Sequence, residues 1–258
     1  MCDAGDAAPR LVDPPQRAWS RTGILRWLRD HAAEPTLIGM DFSFAPPLVE
    51  RGAYLPGEPT PVTARAFWAY VDAACDDSDL GAARFLEARR GRHFYFGAAD
   101  GPKAPFLHFR RCEARYNALG GGKASTVYDA IGAAQVAKAS FAGMRLLHHL
   151  GRAMPVWPFD PVPATGALMV EIYTTIAARA AGLRKGISKL RDPAALDVAL
   201  AGLGSRPHAP LLRYSDHAAD AILAAAWLRA NAGRATLWQP AGLTACLART
   251  EGWTFGVV

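Results

Sequence analysis

Two short, continuously apolar segments stand out in a chain whose other apolar residues mostly recur at helical spacing. Residues 36–42 and 166–173 are apolar nearly throughout, which is typical of strands buried on both faces of a parallel sheet. Elsewhere apolar residues recur every three or four positions, as in amphipathic helices. This spacing predicts helices at residues 19–31, 64–74, 81–90, 139–150, 175–181 and 216–230. Residues 253–257 are a candidate last strand. Strands that alternate with helices predict an α/β fold.

The predicted strands are separated by far more residues than an ordinary crossover connection needs. We therefore interpret residues 48–160 as largely an insertion between the two core strands. Residues 1–16 are rich in Asp, Ala and Pro and are predicted to be a tail. A chain of 258 residues can bury one large core, so residues 17–258 are predicted to form a single domain.

Composition narrows the class of protein. Hydrophobic residues are 51% and charged residues 20% of the chain, as in an ordered globular protein. The net charge of +6 favours an anionic partner and makes nucleic acid a candidate. The four cysteines lack CxxC spacing, so neither a disulfide framework nor a structural zinc site is expected. Without a signal-peptide pattern or an apolar run of about 18 residues, we expect a cytoplasmic protein with no membrane partner. The oligomeric state is not predicted.

Acidic residues end both apolar segments. Asp41 lies at the end of the first and Glu171 near the end of the second. Carboxylates in apolar surroundings are costly unless a cation compensates them. Because open α/β sheets bind ligands at the carboxyl ends of their strands, the two acids could share one crevice. Either acid could instead cap a helix or pair with an arginine.

The helix predicted at residues 216–230 opens with three further candidates, Asp216, His217 and Asp220. At about 100° per residue, the two aspartates lie about 40° apart on one helix face. The helix dipole alone can explain Asp216, but Asp220 lies a turn further in, among apolar residues. Oxygen-rich ligand sets favour magnesium or manganese. The sequence therefore predicts that Asp41, Glu171 and Asp220, together with either Asp216 or His217, hold Mg²⁺ or Mn²⁺.

Basic residues supply candidate contacts to a phosphate-bearing substrate. Arginine matches phosphate geometry with two parallel hydrogen bonds. The candidate substrate-binding residues are Arg110, Arg111, Lys123, Arg184 and Lys185. Each has an ordinary alternative as a solvated or salt-bridged surface residue.

The order of these motifs resembles that of the RNase H-like superfamily, and more narrowly that of a bacterial group of predicted RNase H-like nucleases. The matching stretches are residues 12–21, 38–44, 110–113, 132–135, 170–173 and 216–223. Each stretch is short, but together they are spread over most of the chain. His217-Ala218-Ala219-Asp220 is also similar to the last-helix motif of Holliday-junction resolvases, in which a His or Asp three residues before an Asp helps to hold metal.

The resemblance implies an RNase H-like core, with a mixed sheet flanked by helices and a large insertion in the middle. It also implies divalent-metal-dependent hydrolysis of phosphodiester bonds in nucleic acid, with Asp41, Glu171 and Asp220 as catalytic carboxylates. The superfamily opens with a hairpin whose first strand carries a metal-binding Asp. Here a helix precedes Asp41, and nothing in residues 1–16 resembles that first strand. We therefore expect either that the gene start is misplaced and the hairpin lies upstream, or that the protein has lost it. Two alternatives stay open: a catalytically silent RNase H-like binding or scaffold protein, and a metal-dependent phosphotransfer enzyme acting on a small molecule.

Overall fold

The computed structural model describes residues 1–5, 8–14, 18–122, 124–132, 135–184 and 190–258. Contacts within these ranges divide the chain into two compact units. The smaller unit comprises Met1–Ala18 and Ile172–Gln239, and the larger unit comprises Trp19–Glu171 and Pro240–Val258. This division differs from the predicted single domain over residues 17–258.

Residues 1–16, predicted to be a tail, belong to the smaller unit. Leu11 packs against the apolar cluster of that unit. The backbone N–H of Ala209 donates a hydrogen bond to the carbonyl of Pro9. These contacts could not be predicted from the composition of the segment, because one apolar side chain and one backbone hydrogen bond produce no periodic pattern in the sequence.

The described residues form ten α-helices, three strands and three short 3₁₀ turns. The helices are α1 (Arg21–Asp30), α2 (Ala64–Ala73), α3 (Ala83–Glu87), α4 (Arg111–Ala118), α5 (Val136–Leu150), α6 (Thr174–Ala180), α7 (Pro193–Gly202), α8 (Asp216–Asn231), α9 (Ala235–Trp238) and α10 (Ala245–Arg249). The strands are β1 (Leu37–Met40), β2 (Val156–Trp157) and β3 (Leu168–Glu171), and the 3₁₀ turns are Ser78–Leu80, Ala98–Asp100 and Ala104–Phe106. Of the helices in these ranges, none is both long and apolar enough to cross a membrane.

The strands form one sheet in the order β1-β3-β2. β1 and β2 each pair with β3 in parallel, and Met40 of β1 is the register partner of Glu171 of β3. The α/β class is confirmed, and so is the pairing of the two apolar segments as neighbouring parallel strands. A mixed sheet is not what the described residues form, because all three of their strands are parallel.

Residues 48–160, predicted to be largely an insertion, supply much of the core of the larger unit. They contain α2 and α5, which pack on one another, and β2, which joins the sheet. Aromatic rings dominate this packing. Phe141 of α5 lies 4.9 Å from Phe94 and 5.3 Å from Phe85, measured between ring centroids. Each such pair is worth about 0.5–1.5 kcal/mol beyond the area that it buries.

Helix α5 also approaches the segment that follows β1. A Cβ atom built on Gly143 would lie 2.3 Å from the ring of Phe42, closer than real Cβ atoms come. Two residues further on, the carbonyl of Phe44 accepts a hydrogen bond of 2.7 Å from Nε1 of the buried Trp68. The core of the larger unit therefore fixes the backbone that follows Asp41.

Helix α8, in the smaller unit, begins where the sequence predicts it. Ser215 is its N-cap, and the side-chain oxygen of Ser215 accepts a hydrogen bond from the backbone N–H of Ala218. Such a cap stabilises a helix by about 1 kcal/mol relative to alanine. The helix packs on α6 and α7 through buried residues that include Ala219, Ile222 and Leu223.

Candidate functional site

The carboxyl ends of β1 and β3 lie side by side in the larger unit. Met40 and Glu171 are register partners, so Asp41 follows directly at the same edge of the sheet. Asp41 is exposed, whereas the side chain of Glu171 is only 4% exposed. The two strand ends are thus adjacent, as predicted, but the two carboxylates have different surroundings.

Glu171 is held by a buried arginine. Nη1 of Arg110 donates to Oε2 of Glu171 at 2.7 Å, and Nη2 of Arg110 donates to Oε1. The backbone N–H of Phe44 also donates to Oε2, at 2.8 Å, and the hydroxyl of Thr254 donates to Oε1 at 2.6 Å. Each carboxylate oxygen therefore accepts two hydrogen bonds, which fills the acceptor sites of an ionised glutamate.

Arg110 has further partners on its other donors. Its Nε donates to Oε1 of Glu113 at 2.9 Å, and Nη1 reaches the carbonyl of Glu251 at 3.2 Å. Oε2 of Glu113 accepts a hydrogen bond of 2.9 Å from the backbone N–H of Arg110, and this bond caps the N-terminus of α4. Arg110 is thus a buried cation between two buried carboxylates, an arrangement that planar guanidinium groups suit.

Burial has a different effect on the two kinds of group in this cluster. It raises the pKa of Glu113, and the nearby charge of Arg110 opposes the rise without cancelling it. For Arg110 burial alone would lower the pKa, but the electrostatic interactions with Cys112, Glu113 and Glu171 outweigh that effect and raise the pKa well above its usual value. Arg110 therefore stays charged wherever the fold persists.

A third buried glutamate fixes the neighbouring backbone. Oε1 of Glu251 accepts from the N–H groups of Leu48 and Val49, both at 2.8 Å, and Oε2 accepts from the N–H of Arg111 at 2.9 Å. The sequence did not single out Glu251 or Thr254 as functional. Their only signal is a polar residue on either side of the buried Trp253, and that spacing matches no ligand motif.

The candidate residues of the smaller unit lie in the first turns of α8. Asp216 forms a two-pronged ion pair with Arg191, at 2.8 Å to Nε and 3.0 Å to Nη2. His217 is exposed and Asp220 is partly buried. The pair with Arg191 and the position at the helix N-terminus give Asp216 a structural role. Its role as a metal ligand stays a prediction.

The predicted phosphate-binding residues differ in exposure and in the partners of their side chains. Arg110 does not face solvent, because its side chain is 2% exposed and donates to carboxylates of the protein. Its alternation with acids in the sequence marks a buried ion pair. Arg111 is half-exposed and pairs with Glu50 at 3.1 Å, and Arg184 is exposed. Lys123 and Lys185 lie outside the described residues.

The fit of these residues to a divalent cation is uneven. Among the described residues, no group of three or more His, Cys, Asp and Glu side chains has the geometry to hold a metal ion. Glu171 as packed does not fit a ligand, because its oxygens already accept four hydrogen bonds from protein donors. Asp41 fits better, because it is an exposed acidic residue at a strand end.

Comparison with known proteins adds no family. No family model, curated protein or solved structure matches the chain. A functional interpretation therefore depends on the geometry of the strand ends and on the resemblance of the short motifs.

Proposed function

We propose that this chain is a divalent-metal-dependent phosphodiester hydrolase of RNase H-like type that acts on nucleic acid. The observation that carries the proposal is the parallel pairing of β1 with β3, which brings Asp41 and Glu171 to one edge of the sheet. Carboxyl ends of parallel strands are where open α/β sheets bind ligands. The net charge of +6 suits a polyanionic substrate.

In this proposal Asp41 is the residue of the larger unit that would hold the metal ion. Within the smaller unit, taken by itself, Asp220 with Asp216 or His217 is the candidate ligand set. Bound Mg²⁺ or Mn²⁺ would offset the charge of the phosphate and lower the pKa of a bound water. Glu171 acts differently from the predicted ligand. It holds the N–H of Phe44 and thereby positions the segment that begins with Asp41.

Hydrolysis of labelled nucleic acid tests the proposal. Wild-type protein is incubated with single-stranded and duplex DNA and RNA, in Mg²⁺, in Mn²⁺ and in chelator. We expect metal-dependent cleavage that falls at least about tenfold in Asp41→Asn, because loss of even a residue that only supports a metal ligand typically costs about 10–100-fold. Asp30→Asn, which changes an exposed acid at the end of α1, is the matched control and keeps the wild-type rate. Absence of cleavage on all four substrates, or a wild-type rate in Asp41→Asn, contradicts the proposal.

The second candidate is a catalytically silent RNase H-like protein that binds its partner without cleaving it. The saturation of Glu171 by protein donors favours it, because a superfamily acid is then used to hold the fold. The same experiment separates the two functions. Binding of nucleic acid without cleavage in either metal assigns the silent function, whereas metal-dependent turnover assigns the hydrolase.

A further inference from the structure

Most residues of the loop between α7 and α8 are exposed. Within residues 204–214, hereafter the 204–214 loop, only His208 is buried. Nδ1 of His208 lies 2.7 Å from Oδ1 of Asp197, in α7, and Nε2 lies 2.8 Å from the hydroxyl of Tyr214. The backbone N–H of His208 also donates to Asp197, at 3.1 Å. One imidazole thus attaches the middle of the loop to a helix.

These contacts give the loop a defined shape. A proton on Nδ1 of His208 is donated to Asp197, which leaves Nε2 to accept from the Tyr214 hydroxyl, so both ring nitrogens are used. Pro207 and Pro210 lie on either side of His208 and restrict their own φ angles. An ordered loop loses less conformational entropy when it binds a partner.

The side chains that this loop exposes are basic and apolar. Arg206 and Arg213 are exposed, and Leu212 between them in the chain is fully exposed. Residues 198–215 contain no acid. The surrounding unit is also the more basic of the two: it holds eleven Lys and Arg against seven Asp and Glu, so it carries +4 of the net +6.

We propose that the 204–214 loop is a nucleic-acid-binding surface. Arg206 and Arg213 contact phosphodiester oxygens, which guanidinium groups grip with paired hydrogen bonds. Leu212 packs on the face of an unpaired base or on a sugar. The choice of nucleic acid as the partner rests on the proposed function and on the charge of the smaller unit. An acidic protein segment, the other partner that this surface fits, is an outcome of the test.

Binding without turnover is measured by fluorescence anisotropy in chelator. The full chain is titrated into a labelled single-stranded DNA oligonucleotide of about 20 nucleotides, at several salt concentrations. The double variant Arg206→Gln/Arg213→Gln should bind about tenfold more weakly at low salt. The slope of log K against log salt should become shallower by about 1.4, because two phosphate contacts to a single strand are lost.

A control variant with the same change of charge separates the effect of the position of the arginines from the effect of net charge. Arg26→Gln/Arg152→Gln removes two exposed arginines of the larger unit and should leave the salt slope at its wild-type value. Leu212→Ser should weaken binding without changing the slope. Tyr214→Phe, which removes one partner of His208 and no charge, should also weaken binding while leaving the thermal midpoint near that of the wild type.

The outcomes are separable from those of the hydrolysis assay. Loop-dependent binding without cleavage supports the surface and contradicts the hydrolase. Cleavage with equal binding by the loop variant and its control contradicts the surface alone. No binding of the oligonucleotide by the wild type, or loop-dependent capture of a poly-glutamate peptide with no binding of DNA, overturns the nucleic-acid assignment.

Discussion

Arg110 decides how the carboxyl end of the sheet is held. Its guanidinium pairs with Glu113 and Glu171, and both side chains are less than a tenth exposed. Without the charge of Arg110, two carboxylates held by one guanidinium group would repel each other by several kcal/mol at an effective dielectric constant of about 20. Residues 43–44, 110–113, 171 and 251–254 meet in this cluster. Its role is therefore to join segments that are far apart in the sequence.

The substitution Arg110→Met should cost about 3–5 kcal/mol in free energy of unfolding, because it leaves buried carboxylates without their cation. Urea denaturation at neutral pH measures the loss. Arg111→Met, at the next position, removes an arginine whose side chain is 51% exposed and pairs with a half-exposed Glu50. It should cost at most about 1 kcal/mol. Equal losses in the two variants would contradict a structural role for the buried pair.

Glu58 should make stability depend on pH in a defined direction. Burial alone would raise its pKa, but hydrogen bonds from Tyr70 and Arg89 outweigh burial and hold the pKa below the ordinary 4.5. A carboxyl with a lowered folded pKa contributes stability above its unfolded pKa and loses it as the pH falls through the folded one. Glu58→Gln should therefore destabilise the protein at pH 7, by an amount that shrinks below pH 4.5.

The measurement is a pair of urea titrations at neutral and acidic pH. Glu87→Gln, at the exposed end of α3, provides the control and should change stability little at either pH. A loss in Glu58→Gln that stays constant across the acidic range would show that packing, not charge, is what the side chain contributes.

At the scale of elements, apolar periodicity located most of the long helices. Residues 216–230 were predicted and Asp216–Asn231 is helical; residues 64–74 were predicted and α2 covers all but the last. Continuous apolar runs located β1 and β3, whose pairing is confirmed. These patterns succeed because each reports the burial of many side chains at once.

Short elements without such a pattern were missed. β2 has two residues, and a strand that short shows no periodicity. The candidate strand at 253–257 does not form, although all of its residues except Gly256 are buried. Phe255 donates one backbone hydrogen bond to Glu171, and the indole of Trp253 turns back to the carbonyl of Val257. Apolar composition there reflects burial of the segment, not pairing in the sheet.

Gly143 is a helix position that should be sensitive to the addition of a single methyl group. Alanine favours a helix by about 1 kcal/mol over glycine, yet a Cβ at Gly143 meets three atoms of the Phe42 ring within 2.5 Å. The ring, which packs on the core and on Phe44, would have to leave. Gly143→Ala should therefore lose about 1–3 kcal/mol of stability. Chemical denaturation of Gly143→Ala, Phe42→Leu and the double variant measures this loss.

The double variant supplies the internal control. Without the ring at position 42 the methyl group has room, so the two changes should cost less together than the sum of their separate costs. Strict additivity would show that α5 and the segment after β1 do not touch as described. Because Phe42 follows Asp41 directly, hydrolysis should fall in Gly143→Ala more than its loss of stability explains.

At the scale of the whole molecule, the sequence led to one domain and the contacts to two units. The smaller unit consists of two segments that are far apart in the sequence, residues 1–18 and 172–239. Composition does not show this discontinuity, because the junction between Glu171 and Ile172 falls inside one of the two apolar segments. The same physical limit applies to the site. The type and strand position of Asp41 and Glu171 were readable, but the cation that meets Glu171 comes from a residue 61 positions away.

The proposed metal site makes a prediction that global stability can test. Asp220 lies one turn into α8 between the buried Ala219 and Ile222. Asp220→Asn keeps size and shape and removes one negative charge. If Asp220 belongs to a set of acids that binds metal, the variant should be at least as stable as wild type in chelator, because repulsion between the acids is relieved.

A metal ion that binds only the folded form adds about 2.7 kcal/mol to its stability at a concentration of 100 times the Kd. Thermal melts in chelator, Mg²⁺ and Mn²⁺ should show that gain in wild type and in the surface control Asp30→Asn, and a smaller gain in Asp220→Asn. Strong destabilisation of Asp220→Asn in chelator, together with a wild-type response to metal, would make Asp220 a structural acid and leave the silent binding function as the better account of the chain.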